Sequence, residues 1–307
     1  MTDRVCIVGC GAIGSLYAAH LAQLPELEVW AFDVSAEHVE AINRDGLRLI
    51  GAYDIVAPVR ARTDPAVIPP CAFGIMATKG GVTAAAAAAT APIFADAALC
   101  SVQNGIGNEE VLAEHVPRVM RGVTLPAGRV ARPGVVEIYA PGPTWIGPFE
   151  PAPARSDEVQ ALAGLLNAAG LQTTACDDAR GPQWTKLLFN AATNPLCALT
   201  GLTHGEMWDH APTRELSGQL VAEGLAVARA LGIELEDDPL TLIAEGARIN
   251  YRHRPSMLQD VLAKRPTEID MLNGGIVREG AAHGVPTPLH AAIHALVTGL
   301  QDSWRYA

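Results

Sequence analysis

Apolar and polar positions follow two rhythms along this chain, and the change from one to the other falls near Asp178. In the first half, short apolar runs alternate with segments of helical period. Residues 4–9 (RVCIVG) form an unbroken apolar run, which predicts a parallel strand buried on both faces. Residues 15–24 (SLYAAHLAQL) have helical spacing closed by Pro25. A second strand is predicted over 28–33 (EVWAFD) and a second helix over 36–43 (AEHVEAIN). Residues 84–100 read as an Ala-rich packing helix followed by a strand. Strands are predicted over 72–78 and 98–103, and a helix over 108–116. From 120 to 147, β-rich segments punctuated by Gly and Pro predict antiparallel additions at a sheet edge. A helix over 156–170 and a strand over 171–176 complete this half. Beyond 177–182 (DDARGP) the strand signals stop, and helices are predicted over 183–200, 210–231, 237–251, 256–264, 266–280 and 287–301. The expected architecture is a doubly wound α/β domain (1–177) followed by an all-helical domain (178–307), with a cleft between them.

Composition narrows the function. Of 307 residues, 49% are hydrophobic and 18% charged, enough for two domains with their own cores. A formal net charge of −11 without any Lys/Arg run argues against nucleic acid or an anionic membrane surface as partner. The apolar stretch 84–100 is broken by Thr90, Pro92 and Asp96, so it is not read as a membrane span. The first strand begins almost at once, leaving no room for a signal peptide. Cysteines at 6, 10, 71, 100, 176 and 197 form no CxxC pair, as expected of a reduced cytoplasmic protein with small buried thiols. His290 and His294 are spaced i, i+4, but no carboxylate or cysteine cluster accompanies them. No metal is expected there, and the pair reads as a surface accident.

Candidate chemistry begins at GCGAIG. Gly9 permits a tight turn and Gly11 lets the backbone approach a pyrophosphate. Gly14 lets the helix pack closely, while the N–H groups of the first turn, including Ala12 and Ile13, face the phosphates. The pattern lies in a strand–turn–helix, with Asp33 ending the next strand. A carboxylate there either accepts hydrogen bonds from ribose hydroxyls or merely opens a turn; it would repel a 2′-phosphate. Residues 33–43 contain no Lys or Arg, so NAD is preferred over NADP as the expected cofactor, and Asp33→Arg is expected to improve NADPH use. Lys79 and Asn104 follow the strands predicted over 72–78 and 98–103, at the strand ends where ligands of open α/β sheets bind. Turn chemistry or solvation alone could account for each, but together, in these two loops, they favour a ligand-binding reading.

Residues 183–195 (QWTKLLFNAATNP) place Lys186, Asn190 and Asn194 within an arc of about 80° on one helix, each step rising about 6 Å. Lys186 is the only formally charged residue between Gly181 and Gly205, and its neighbours are apolar on nearly all sides. Such a helix is expected to be buried, where polar groups need partners. Pro195 cannot bond the Ala191 carbonyl, which predicts a kink near Asn194. A second cluster lies at 254–274: Ser256 and Gln259 read as a capping box, and Pro266 as the first residue of a helix with Glu268 in its first turn.

Together, GCGAIG, Lys79, QNGIGNEE, KLLFNAATNPLCALTG and SMLQDVLAKRPTEID resemble, in order and spacing, the ketopantoate reductase (2-dehydropantoate 2-reductase) family from Arg4 to about Pro288. The resemblance implies a Rossmann domain, a helical substrate domain and reduction of a 2-oxo acid by a nicotinamide cofactor. It implies Lys186 as general acid with Glu268 beside it, and substrate-binding roles for Asn190, Asn194 and Ser256. Lys79 and Asn104 match positions near the nicotinamide, Asn104 also serving the substrate. Asp33 departs from the basic residue that many NADPH-using members carry. Two other readings stand beside this one: a NAD-dependent dehydrogenase of this family oxidising a branched or polyhydroxylated acid, and a nicotinamide-binding sensor without turnover. A small-molecule acid is the expected partner, and apolar C-terminal helices make a homodimer possible.

Overall fold

Val5, Cys6, Ile7 and Val8 have no solvent exposure, and the strand they form, β1 (Asp3–Val8), lies inside the larger of two sheets. The computed structural model of the protein describes residues 3–306. Backbone packing divides the chain into one unit of Met1–Gln103 with Asn108–Ala179, and a second of Asn104–Gly107 with Arg180–Ala307.

In the first unit the chain runs β1, α1 (Ala12–Leu21), β2 (Leu27–Phe32), α2 (Ala36–Asp45), β3 (Leu47–Gly51), β4 (Ile55–Ala57), β5 (Arg60–Arg62), β6 (Phe73–Met76) and α3 (Thr83–Thr90). It continues with β7 (Ala98–Ser101), α4 (Asn108–Ala113), β8 (Arg118–Thr124), β9 (Ala127–Arg132), β10 (Val135–Ala140), β11 (Thr144–Pro148), α5 (Ser156–Ala168) and β12 (Thr173–Ala175). The eight-stranded sheet has the order β12-β11-β8-β7-β6-β1-β2-β5. Its pairs from β5 to β8 are all parallel, β11 is antiparallel to β8, and β12 is parallel to β11. Strand order reverses between β1 and β6, the switch point of a doubly wound sheet, as the alternating pattern predicts.

The sequence pattern does not reveal a second sheet, β4-β3-β10-β9. Residues 120–147 therefore do not simply add antiparallel strands to one edge: β8 joins the large sheet in parallel, while the β9–β10 hairpin joins β3. Helix α1 packs on this small sheet, and its buried residues share one core with β1, β3 and β10.

The second unit is helical. Its helices are α6 (Arg180–Thr200), α7 (His204–Asp209), α8 (Ala211–Ala230), α9 (Pro239–Ile249), α10 (Ser256–Leu262), α11 (Asn273–Ala282) and α12 (Pro288–Ser303). Helix α6 packs against α7, α8, α9, α10 and α12. That explains its apolar composition on nearly every side: Trp184, Leu187, Leu188, Ala191, Ala192 and Leu196 are all buried. The helix continues through Pro195 to Thr200, and Gly201, at φ 76°, closes it by donating to the Cys197 carbonyl.

Two local expectations are corrected. The helix predicted from 266 begins at Asn273; Glu268 instead opens a turn whose carbonyl accepts the N–H groups of Met271 and Leu272. Ser256 is the first residue of α10 rather than its N-cap. Pro255, extended at ψ 156°, takes that place, and the Gln259 amide donates to the Arg254 carbonyl. Helix α7 is an addition to the predicted elements. All six cysteines are free, five of them buried. Among the described residues, no helix is long and apolar enough to cross a membrane.

Candidate functional site

The glycine turn lies between β1 and α1. Gly9 has φ 91°, and a Cβ there would crowd the Thr78 backbone. A Cβ on Gly14 would overlap the Gly9 carbonyl oxygen, so only glycine lets the helix start this close to the turn. Gly11 differs: a Cβ there would meet nothing within 4 Å. It is the N-cap of α1, supplies no capping side chain, and is followed by a first turn without acidic residues. An open, positively polarised helix start next to backbone free of side chains fits a pyrophosphate. Ala12 and Ile13, in that first turn, are half-buried.

Asp33 closes the turn from the other side. One carboxylate oxygen accepts the Cys10 N–H at 2.7 Å and the other the Ser35 N–H at 2.9 Å. The carboxylate thus organises the glycine turn itself, and its charge adds to burial in pushing the Cys10 thiol up to about 12. Sequence reasoning missed a basic neighbour. Arg62 on β5 pairs with Phe32, and its carbonyl accepts the Asp33 N–H. Its guanidinium donates to the Ala61 carbonyl and lies 5.2 Å from the Trp30 ring centroid. Nothing in the order of residues links position 62 to 33. Lys79 is exposed in the loop after β6. The adjoining Thr78 carbonyl and hydroxyl accept from the buried Gln103 amide, which also donates to Thr83.

In the helical unit, three of the singled-out side chains meet. Lys186 Nζ donates to Asn104 Oδ1 at 2.7 Å, and Asn104 Nδ2 donates to Glu268 Oε2 at 3.1 Å. Lys186 and Asn104 are half-buried, and Glu268 is buried. Burial lowers the Lys186 pKa to about 8, and the Glu268 carboxylate opposes that shift. The amide bridges cation and anion and holds both in one place. Asn104 is itself fixed by the next two residues of the chain. Gly105, at φ 84°, lies so close to Met271 that a Cβ would overlap that residue's carbonyl. Ile106 N–H donates to the same carbonyl at 3.0 Å, and the Gln183 amide, one turn before Lys186, donates to the Gly105 carbonyl at 3.3 Å. Gln183 and the Glu268–Met271 turn are contributors that sequence reasoning missed.

Asn190 and Asn194 continue the Lys186 face along α6. Asn194 is buried and accepts from Thr193, whereas the Asn190 amide has no hydrogen-bond partner among the described residues. Ser256 is exposed at the start of α10, a helix that packs on α6. His290 and His294 are not a surface pair. His290 is fully buried against Leu220 and Asn273, and His294 bonds Asp270 at 2.6 Å. Among the described residues, no group of three or more His, Cys, Asp or Glu could hold a metal.

Residues 5–151 match the family model described as ketopantoate reductase PanE/ApbA, and residues 178–301 match that of its C-terminal part. The chain is 32% identical over 298 residues to the 2-dehydropantoate 2-reductase of Pyrococcus horikoshii, covering 96% of each chain. It is 30% identical to that of Archaeoglobus fulgidus, covering 98% of each. Among solved structures, the PanE/ApbA family ketopantoate reductase of Ralstonia eutropha superposes with a TM-score of 0.88 at 33% identity, over 98% of this chain and 99% of that one. D-mandelate dehydrogenase, solved with NADH and anilino(oxo)acetate, also gives 0.88, at 27% identity and the same coverage.

Proposed function

Because the chain belongs to the ketopantoate reductase family and is an oxidoreductase of the 2-dehydropantoate 2-reductase type, we propose that it reduces the ketone of ketopantoate, or of a close 2-oxo acid analogue, with Lys186 as general acid. The observation that carries this reading is the Lys186 ammonium, partly desolvated and bridged by Asn104 to Glu268.

The chemistry that a reduced nicotinamide would supply here is a hydride for the ketone carbon. Negative charge then grows on the carbonyl oxygen, and Lys186 stabilises it and delivers the proton that completes the hydroxyl. A pKa near 8 suits that task at neutral pH: the amine is protonated at rest, and its proton is given up more readily than that of a solvated lysine. Glu268 keeps the charge in place and Asn104 orients it. The neutral amides of Asn190 and Asn194, with the Ser256 hydroxyl, are donors for the substrate's carboxylate and hydroxyl oxygens. Neutral donors bind an anion without competing with Lys186. Lys186 is reprotonated from solvent after release.

On this reading the cofactor binds at the glycine turn, with Gly9, Gly11, Ala12, Ile13 and Gly14 at the pyrophosphate, Asp33 at the adenosine ribose and Lys79 nearer the nicotinamide. Asp33 favours NAD, and the NADH held by the similar D-mandelate dehydrogenase supports that preference. The test is direct: purified protein is mixed with ketopantoate and either NADH or NADPH, and loss of the reduced nicotinamide is followed together with the organic product. The expected result is one equivalent of 2-hydroxy acid per nicotinamide oxidised. Tight cofactor binding without turnover on ketopantoate or any branched 2-oxo acid would overturn the reading.

A further inference from the structure

The Ala191 carbonyl lies four residues before Pro195 in α6. In an uninterrupted helix it would accept the N–H of residue 195, and proline has none. Ala191 has no solvent exposure, so water does not substitute, and a buried carbonyl without a donor is costly. The donor comes from another helix. Asn273, at the start of α11, directs Nδ2 at the Ala191 carbonyl at 3.0 Å and at His290 Nδ1, also at 3.0 Å. His290 on α12 bonds the Leu220 carbonyl of α8 through Nε2 at 2.9 Å. A carbonyl only accepts, so Nε2 carries the proton and Nδ1 keeps the lone pair that receives the Asn273 N–H. Burial favours this neutral ring.

Asn273 and His290 are both fully buried, and the Asn273 oxygen has no partner among the described residues. The amide therefore works through its two N–H groups: one to the carbonyl that Pro195 leaves open, one to the ring that fixes its orientation. Four helices meet at this chain of bonds, and the pinned turn of α6 carries Asn190 and Asn194, one and two turns beyond Lys186.

We propose that Asn273, oriented by His290, is a positioning residue: it replaces the N–H that Pro195 lacks and so fixes the rotation of the α6 turn that presents Asn190 and Asn194 to the substrate. This rests on the proposed reductase function, and it makes the proline and the asparagine a matched pair. Without Asn273, the turn shifts to find a donor for Ala191, and the amides beside it move with it. If residue 195 has its own N–H, the carbonyl is satisfied within the helix and Asn273 matters less.

The experiment is a double-mutant cycle on the full-length protein: wild type, Asn273→Ala, Pro195→Ala and the double variant, assayed for kcat and KM with ketopantoate and cofactor. Asn273→Ala is expected to lower kcat by about tenfold or more, the scale of a misplaced binding group, with the KM for cofactor unchanged. In the Pro195→Ala background the same change is expected to cost less than about threefold. Equal costs in both backgrounds, or an Asn273→Ala enzyme with wild-type kcat, would overturn the proposal. Where Asn273→Ala alone does not fold, the double variant is expected to fold and turn over like Pro195→Ala, and failure of that rescue overturns the proposal as well. A fault in the functional reading is seen separately, as wild type without turnover or Lys186→Ala with full turnover. Either result removes the reaction that Asn273 serves and ends the proposal by a different route.

Discussion

At the scale of the residue, two opposed effects act on Lys186. Burial disfavours its charged form, Glu268 favours it, and burial is the larger, leaving the pKa near 8. The acid form is therefore intact below that pH and is lost above it. The expected kcat of reduction is level below pH about 8 and falls about tenfold per unit above it. In the reverse direction, which needs the neutral amine, the rate rises through the same pH. A reduction rate that climbs between pH 8 and 9, with cofactor saturating, would contradict this. Asn104 offers a sharper probe, because its Oδ1 touches Nζ. Asn104→Asp puts a carboxylate there, which favours the ammonium, so the alkaline limb is expected to move to higher pH; a limb moved lower would contradict the contact. Lys186 itself is legible as a lone charge in apolar surroundings. Its partners are not legible from spacing, since Asn104 lies 82 residues from it and 164 from Glu268. Only the resemblance of the separated motifs to one family links them.

At the scale of the element, the structure that presents Asn104 depends on Gly105. A side chain there would need the left-handed conformation and would collide with the Met271 carbonyl, with no flexible group free to yield. Gly105→Ala is accordingly expected to lower kcat at least about tenfold while circular dichroism stays close to wild type, because the change displaces a short loop rather than a helix. Wild-type kcat for this variant would mean that the loop does not position Asn104. Elements with strong periodicity are readable: β1, β2, α2, α5 and α6 lie within a few residues of their predicted bounds. The second sheet is not, for a physical reason. Every residue of β9 is at least partly exposed, so it lacks the apolar alternation that marks a strand. Helix α7 does carry a signal in the sequence. Thr203 and Glu206 form a T-x-x-E box, in which the Glu206 carboxylate accepts the Thr203 N–H at 2.8 Å. Pro266 misleads in the other direction: it suits a first helical position, yet the chain turns through Glu268 and begins its helix only at Asn273.

At the scale of the whole molecule, the proposed function puts the cofactor residues in the first unit and the acid in the second, with which Asn104–Gly107 is grouped. Cofactor choice should then be separable from proton delivery. Asp33 both accepts the Cys10 N–H and supplies charge. Asp33→Arg would remove both acceptors of the turn as well as reverse the charge, whereas Asp33→Asn keeps an oxygen for Cys10 and gives up the negative charge and the Ser35 contact. Wild type is expected to prefer NADH in kcat/KM, and Asp33→Asn to raise the NADPH-to-NADH ratio roughly fivefold, about 1 kcal/mol for one screened charge. A wild-type preference for NADPH would overturn the assignment of Asp33 and turn attention to Arg62. The proposal as a whole stands or falls on an amine in the helical unit whose loss stops the reaction without loosening the dinucleotide. Lys186→Ala, measured for kcat on ketopantoate and for cofactor dissociation constant side by side, should lose at least about a hundredfold in kcat and keep the dissociation constant within about twofold. Turnover near that of wild type would show that the proton comes from elsewhere.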